Sequence, residues 1–133
     1  MSEALATLQE AVVTALKSSA PLMALVTGVH DGPPPRARYP YLTISDALVS
    51  DWSTKTATGR EIRLALTLWD DSQQGARMQQ LIALSGAALE TVPRDLPGWR
   101  VASAVFLRSL VSRDPAGPWA GLCEYRFRML ATA

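Results

Sequence analysis

A chain of 133 residues with 48% apolar and 19% charged side chains is long enough for one packed domain over residues 1–133, too short for two, and too apolar for a disordered tail. Thirteen lysines and arginines against twelve acids leave a net charge of +1, which excludes a global field drawing the chain tightly onto nucleic acid or anionic lipid. The lone cysteine, Cys123, excludes an internal disulfide and a multi-cysteine zinc site and suits a reducing cytoplasm, and neither a signal-peptide pattern nor a membrane-spanning apolar run is expected.

In chain order, Ser2 with Glu3 behind it reads as a helix N-cap, and Leu5, Leu8, Val12, Ala15 and Leu16 then recur at helical spacing. Pro21 opens a short second turn holding Leu22, Leu25 and Val26, which Gly28 ends. Across residues 30–35 an Asp-Gly pair and three prolines predict irregular chain. Pro40 suits a strand start, and Leu42, Ile44 and Leu48 mark the first strand. After a connection over residues 53–59, Ile62, Leu64, Leu66 and Leu68 face one way while Arg63, Ala65 and Thr67 face the other, which defines a second strand.

Asp70, Asp71 and Ser72 stand where they would cap a second long helix, whose stripe is Met78, Leu81, Ile82, Ser85, Ala88 and Leu89. Residues 99–111 form an apolar run rich on both faces, which predicts a covered, central strand. A turn over 113–118 leads to a last strand, where Cys123, Tyr125, Phe127 and Met129 alternate with Glu124, Arg126 and Arg128. The order helix-strand-strand-helix-strand-strand predicts an α+β fold, with about four mostly antiparallel strands and two helices packed on one face.

Acid–base chemistry near neutral pH falls first to histidine, and the only one, His30, lies in a Gly/Pro loop with no Gly-x-Ser-x-Gly elbow elsewhere. A solvated loop histidine is the better reading. Asp46, Asp51, Asp70 and Asp71 invite comparison with a hard-cation site, yet adjacent aspartates before a helical stripe are what a helix N-terminus prefers. Cys123, set in a core row, reads as an inert buried thiol. No catalytic, cofactor or metal-binding residue is assigned; a small enzyme built on His30 with Asp46, Asp51 and Asp70 is kept as an alternative.

Interaction surfaces are better marked. Residues 51–60 and 112–120 each join consecutive strands and are expected to project from one end of the sheet toward a neighbour. Their candidate contact residues are Trp52, Thr54, Lys55, Thr56, Arg60, Arg113, Asp114 and Trp119, and Arg63, Arg126 and Arg128 add a charged outer face. All basic residues but Lys17 and Lys55 are arginine, whose planar fork suits partly desolvated contacts. Trp52, Trp69, Trp99 and Trp119 fall near strand ends, where large rings plug a core rim or anchor a partner. The edges of a small antiparallel sheet are the kind that a closed ring of copies covers.

The stretches Tyr39-Pro40-Tyr41-Leu42-Thr43-Ile44, Asp51-Trp52-Ser53-Thr54-Lys55-Thr56 with Gly59 and Arg60, and Leu66-Thr67-Leu68-Trp69 occur in that order. Arg113-Asp114-Pro115 and Tyr125-Arg126-Phe127-Arg128 follow. Together they resemble, along almost the whole chain, a family of small proteins from tailed-phage and gene-transfer-agent gene clusters that is associated with tail terminators. The resemblance implies a structural, non-enzymatic subunit of a six-fold ring, without cofactor or membrane, assembled in the cytoplasm and carried in the particle. Its implied partners are further copies of itself, the tail tube protein and the head-side stopper or connector, with DNA passing transiently through the lumen. Near-neutral charge agrees, because each phosphate neutralised by a channel wall would hold the DNA back. Another neck component, stopper or adaptor, is the alternative within that class, and a monomeric ligand-binding module the alternative outside it.

Overall fold

The structure, a computed structural model, describes residues 3–34, 36–113, 115 and 117–132. Helix α1, Ala4–Lys17, buries Ala4, Leu8, Val12, Ala15 and Leu16, with Leu5 packed at the rim. Its N-cap is Glu3, whose side chain makes no capping bond; Ser2, the expected cap, lies outside the described residues. The short helix α2, Ala20–Met23, starts with Pro21 in its first turn, and the Ser19 hydroxyl accepts from the Leu22 N–H at 3.3 Å.

Among the described residues six strands form one sheet, not four. They are β1 (Val29–Asp31), β2 (Tyr41–Asp51), β3 (Gly59–Asp70), β4 (Asp95–Leu96), β5 (Trp99–Arg113) and β6 (Trp119–Ala131), in the order β1-β2-β3-β6-β5-β4. Only the β1–β2 pair is parallel. The two added strands are short ones. The chain around His30, expected to be irregular, is extended because the Leu42 N–H reaches the Gly28 carbonyl at 3.1 Å and the Gly32 N–H reaches that of Ile44 at 3.3 Å. Three residues anchored by the buried Val29 need no sequence propensity beyond that.

Helix α3, Ala76–Leu89, packs with α1 against one face of the sheet, meeting Ile62, Leu64, Leu66 and Leu68 of β3 and Cys123, Tyr125, Phe127 and Met129 of β6. Gly121 makes that approach possible, since a Cβ there would lie 2.5 Å from the Met78 sulfur. The opposite face carries Glu61, Arg63, Glu124, Arg126 and Arg128. Ala65 and Thr67 also lie on that face yet are buried, the Thr67 hydroxyl donating to Ser45 Oγ at 2.9 Å.

Three further sequence expectations are corrected. Asp70 does not cap α3, whose N-cap is Gly75 with no side-chain bond. It ends β3, too early in the chain to reach the helix, and is instead fully buried against Arg77, which folds back from the first turn. Leu48 is not core: a bulge between Ile44 and Asp46 turns it to the outer face, 61% exposed.

The third correction is β5, which is not a covered central strand. Only Trp99 and Val101 are buried in it, and β4 covers its outer edge no further than Arg100. Val105 and Leu110 point to the face that carries no helix, and on the other face the reason is length. Fifteen residues of strand extend about 50 Å, whereas the fourteen of α3 cover about 21 Å. An apolar run therefore continues beyond the helix that was expected to bury it.

Candidate interaction surfaces

The two hairpin loops lie at opposite ends of the sheet, not at one end. β3 pairs with β6 from Gly59↔Leu130 to Asp70↔Trp119; the β2–β3 loop leaves from the first end and the β5–β6 loop from the second. The twelve residues of β3 separate them by roughly 40 Å.

The β2–β3 loop is built by its own side chains. Thr54 Oγ1 accepts from the N–H groups of Thr56 (3.3 Å) and Ala57 (3.0 Å), and Ser53 Oγ accepts from that of Gly59 (3.0 Å). Gly59 is required here, because a Cβ would sit 2.2 Å from the Trp52 carbonyl oxygen. Thr54, Lys55 and Thr56 are exposed at the tip. At its base Arg60 pairs with Asp51 at 3.2 Å, and the Arg128 guanidinium lies 5.4 Å from the centre of the Trp52 ring. At the other end Arg113 stacks on Trp119 at 5.2 Å. Trp119 Nε1 is buried without a hydrogen bond; Asp114 lies outside the described residues.

Arg63 and Arg126 are direct cross-strand neighbours on the helix-free face. Like charges so placed repel unless acids flank them. Glu61 does so, taking Arg128 Nε at 3.0 Å with Arg126 Nε at 4.0 Å. Glu124 takes Arg108 at 2.6 Å, and the hydrogen bond from that guanidinium holds its carboxyl below the usual range. Arg126 Nε is buried and makes no hydrogen bond.

The groups weighed for chemistry are otherwise engaged. Cys123 is fully buried, and desolvation pushes its thiol up to about 11. The His30 ring meets Tyr41 edge-on at 6.1 Å. Asp70 receives Arg77 Nε at 3.0 Å and the Ser72 N–H at 3.3 Å, while Asp51 pairs with Arg60, at the far end of β3 from Asp70. Asp51 and Asp70, weighed against a shared cation site in the sequence, therefore stand at opposite ends of β3.

Sequence reasoning missed a set of exposed apolar side chains: Leu48, Val49, Val105, Phe106 and Leu110. Phe106 leans edge-on against Tyr125 at 5.5 Å and borders a groove of about 520 Å³ between β5 and α3, floored by Ala104 and Phe127. For Phe106 the available signal was the strand–helix length mismatch; Leu48 follows from the bulge, and Val105 and Leu110 from a sheet face without helices.

Known proteins share this architecture. A chain from the virion of a native gene transfer agent particle is 27% identical and superposes with a TM-score of 0.78, covering 98% of this chain and 100% of that one. The structure of the bacteriophage SPP1 gp17 protein, also 27% identical, superposes at 0.65 over 92% of this chain and 88% of its own. In sequence, the tail completion protein gp17 of Bacillus phage SPP1 is 28% identical over 121 residues, 90% of each chain. The family model for tail completion protein gp17 matches residues 10–130, and the chain belongs to that family, one of structural tail proteins and not of enzymes.

Proposed function

We propose that this chain is the structural subunit of a ring, of six copies, that closes the head-facing end of a phage-like or gene-transfer-agent tail tube. The ring joins the tube to the head-side stopper, and DNA passes through its lumen. The observation that carries this reading is the likeness, from end to end, to a chain of a gene transfer agent virion. Shared architecture over 98% of the chain points to a role for the whole body rather than for one borrowed motif.

The arrangement of surfaces supports it. A joint must touch one partner on each side, and the loop with Thr54, Lys55 and Thr56 and the turn between Arg113 and Trp119 occupy opposite ends. Arg63, Arg126 and Arg128 offer guanidinium groups to acids of another copy, and a net charge of +1 leaves DNA free to slide. Particles produced without this chain are expected to accumulate as separate heads and tails that join when purified protein is supplied. Joined particles forming in its absence, or collars imaged without it, would sink the reading.

A further inference from the structure

The antiparallel body of the sheet has four strands, β2-β3-β6-β5, and both its outer edges are only part covered. β1 reaches along β2 to Ile44, and β4 along β5 from Trp99 to Arg100. Residues 45–51 of β2 are all exposed, and residues 102–113 of β5 are exposed or half-buried. Open edges of this length invite pairing with another chain.

The two edges fit one another in three respects. First, β2 and β5 run in opposite directions, so β2 of one copy laid beside β5 of a second continues the antiparallel order with both copies the same way up. Second, the hydrogen-bond rows match. The Trp52 N–H donates to the Gly59 carbonyl at 3.0 Å, so by alternation Ala47 and Val49 turn their backbone groups outward. Carried across β3 and β6 by the register, the same alternation turns Ala104, Phe106, Ser109 and Val111 outward on β5. Third, the side chains are complementary. The β2 edge carries Asp46 and Asp51 with Leu48 and Val49 exposed; the β5 edge carries Arg108 and Arg113 with Val105, Phe106 and Leu110 exposed.

We propose that a second copy of this chain occupies the edge: residues 45–51 of β2 pair antiparallel with the distal half of β5 in the next copy. The contact joins two different surfaces, so it repeats from copy to copy and makes a ring when the rotation between neighbours closes. It rests on the ring reading above and names the surface that makes the ring. β1 fixes the register. With the copies level, Ala47 would face Phe106 and the end of β5 would collide with β1, which holds the outer edge of β2 at Leu42–Ile44. Sliding the neighbour by about four residues relieves this and supplies the stagger that a closed sheet requires. Leu48 then faces Leu110, both on the side away from the helices, and Ala47 and Val49 meet Val111 and Ser109, whose backbone groups also turn outward.

Leu48→Cys and Leu110→Cys chains, mixed under assembly conditions and oxidised, test this; Cys123 is buried and stays as it is. Opposed Cβ atoms about 4.5–5.5 Å apart in a non-hydrogen-bonded pair suit a disulfide. The expected product is a cross-linked pair formed in the mixture and by neither variant alone. Ser109→Pro, which removes an outward N–H and spares the chain's own ladder, is expected to lower the ring population at least tenfold with the unfolding midpoint unchanged. Rings without the mixed cross-link, or a variant linking to itself, overturn the edge assignment and leave the ring standing. Chains that never assemble, alone or with tube protein, overturn the ring as well.

Discussion

Asp70 is fully buried, and its carboxylate receives both the Arg77 guanidinium and the Ser72 N–H. Asp70→Ala strands a guanidinium at the start of α3 and is expected to cost about 2 kcal/mol, measured as a lower urea midpoint with unchanged slope. The sequence placed this residue beside a helix, and it misled there, because a short polar side chain before a helical stripe looks alike whether it caps the helix or grips an arginine inside it. Cys123 was legible, since its place in an alternating row dictates burial. Its thiol is raised from 9.0 to about 11, and the neighbouring Tyr125 phenol from 10.0 to about 12, both chiefly by desolvation. Both groups are neutral in the fold, and the unfolded chain ionises first. Stability is therefore expected to hold below about pH 9 and to fall from there toward pH 12, by an amount on the order of 2 kcal/mol for the thiol. Unfolding midpoints across that range check the sign, and a rise with pH would refute it.

At the scale of elements, β3 and β6 could be read directly, because strict alternation of Ile62, Leu64, Leu66 and Leu68, and of Cys123, Tyr125, Phe127 and Met129, has no helical interpretation. Elsewhere the pattern stopped short of the cause. One extra residue at the bulge after Ile44 reverses the facing of everything behind it, so Leu48 keeps its apolar identity and loses its burial. The run in β5 looked covered because hydrophobicity reports what a strand can bury, not whether a layer lies over each of its faces. The β2–β3 loop is closed by hydrogen bonds of its own Thr54 and Ser53, so its exposed tip can be altered separately from the fold. Lys55→Trp is expected to leave the unfolding midpoint within about 0.5 kcal/mol while lowering the yield of joined particles several-fold. Normal joining by that variant would remove the loop from the list of contacts.

For the molecule as a whole, the order of elements pointed to the right family, and the relative position of the two loops did not follow from it. That position depends on the long register between β3 and β6, a pairing of residues far apart in the chain that local composition leaves undetermined. The register has a mechanical side. β3 and β6 run side by side from one loop to the other, so a pull applied between the two ends acts along the strands. Every rung of that ladder then resists at once, as rivets do in a lap joint, whereas a force across the strands would part them one rung at a time. Under the proposed placement between head and tube, a pull along the tail would load the subunit in the first manner.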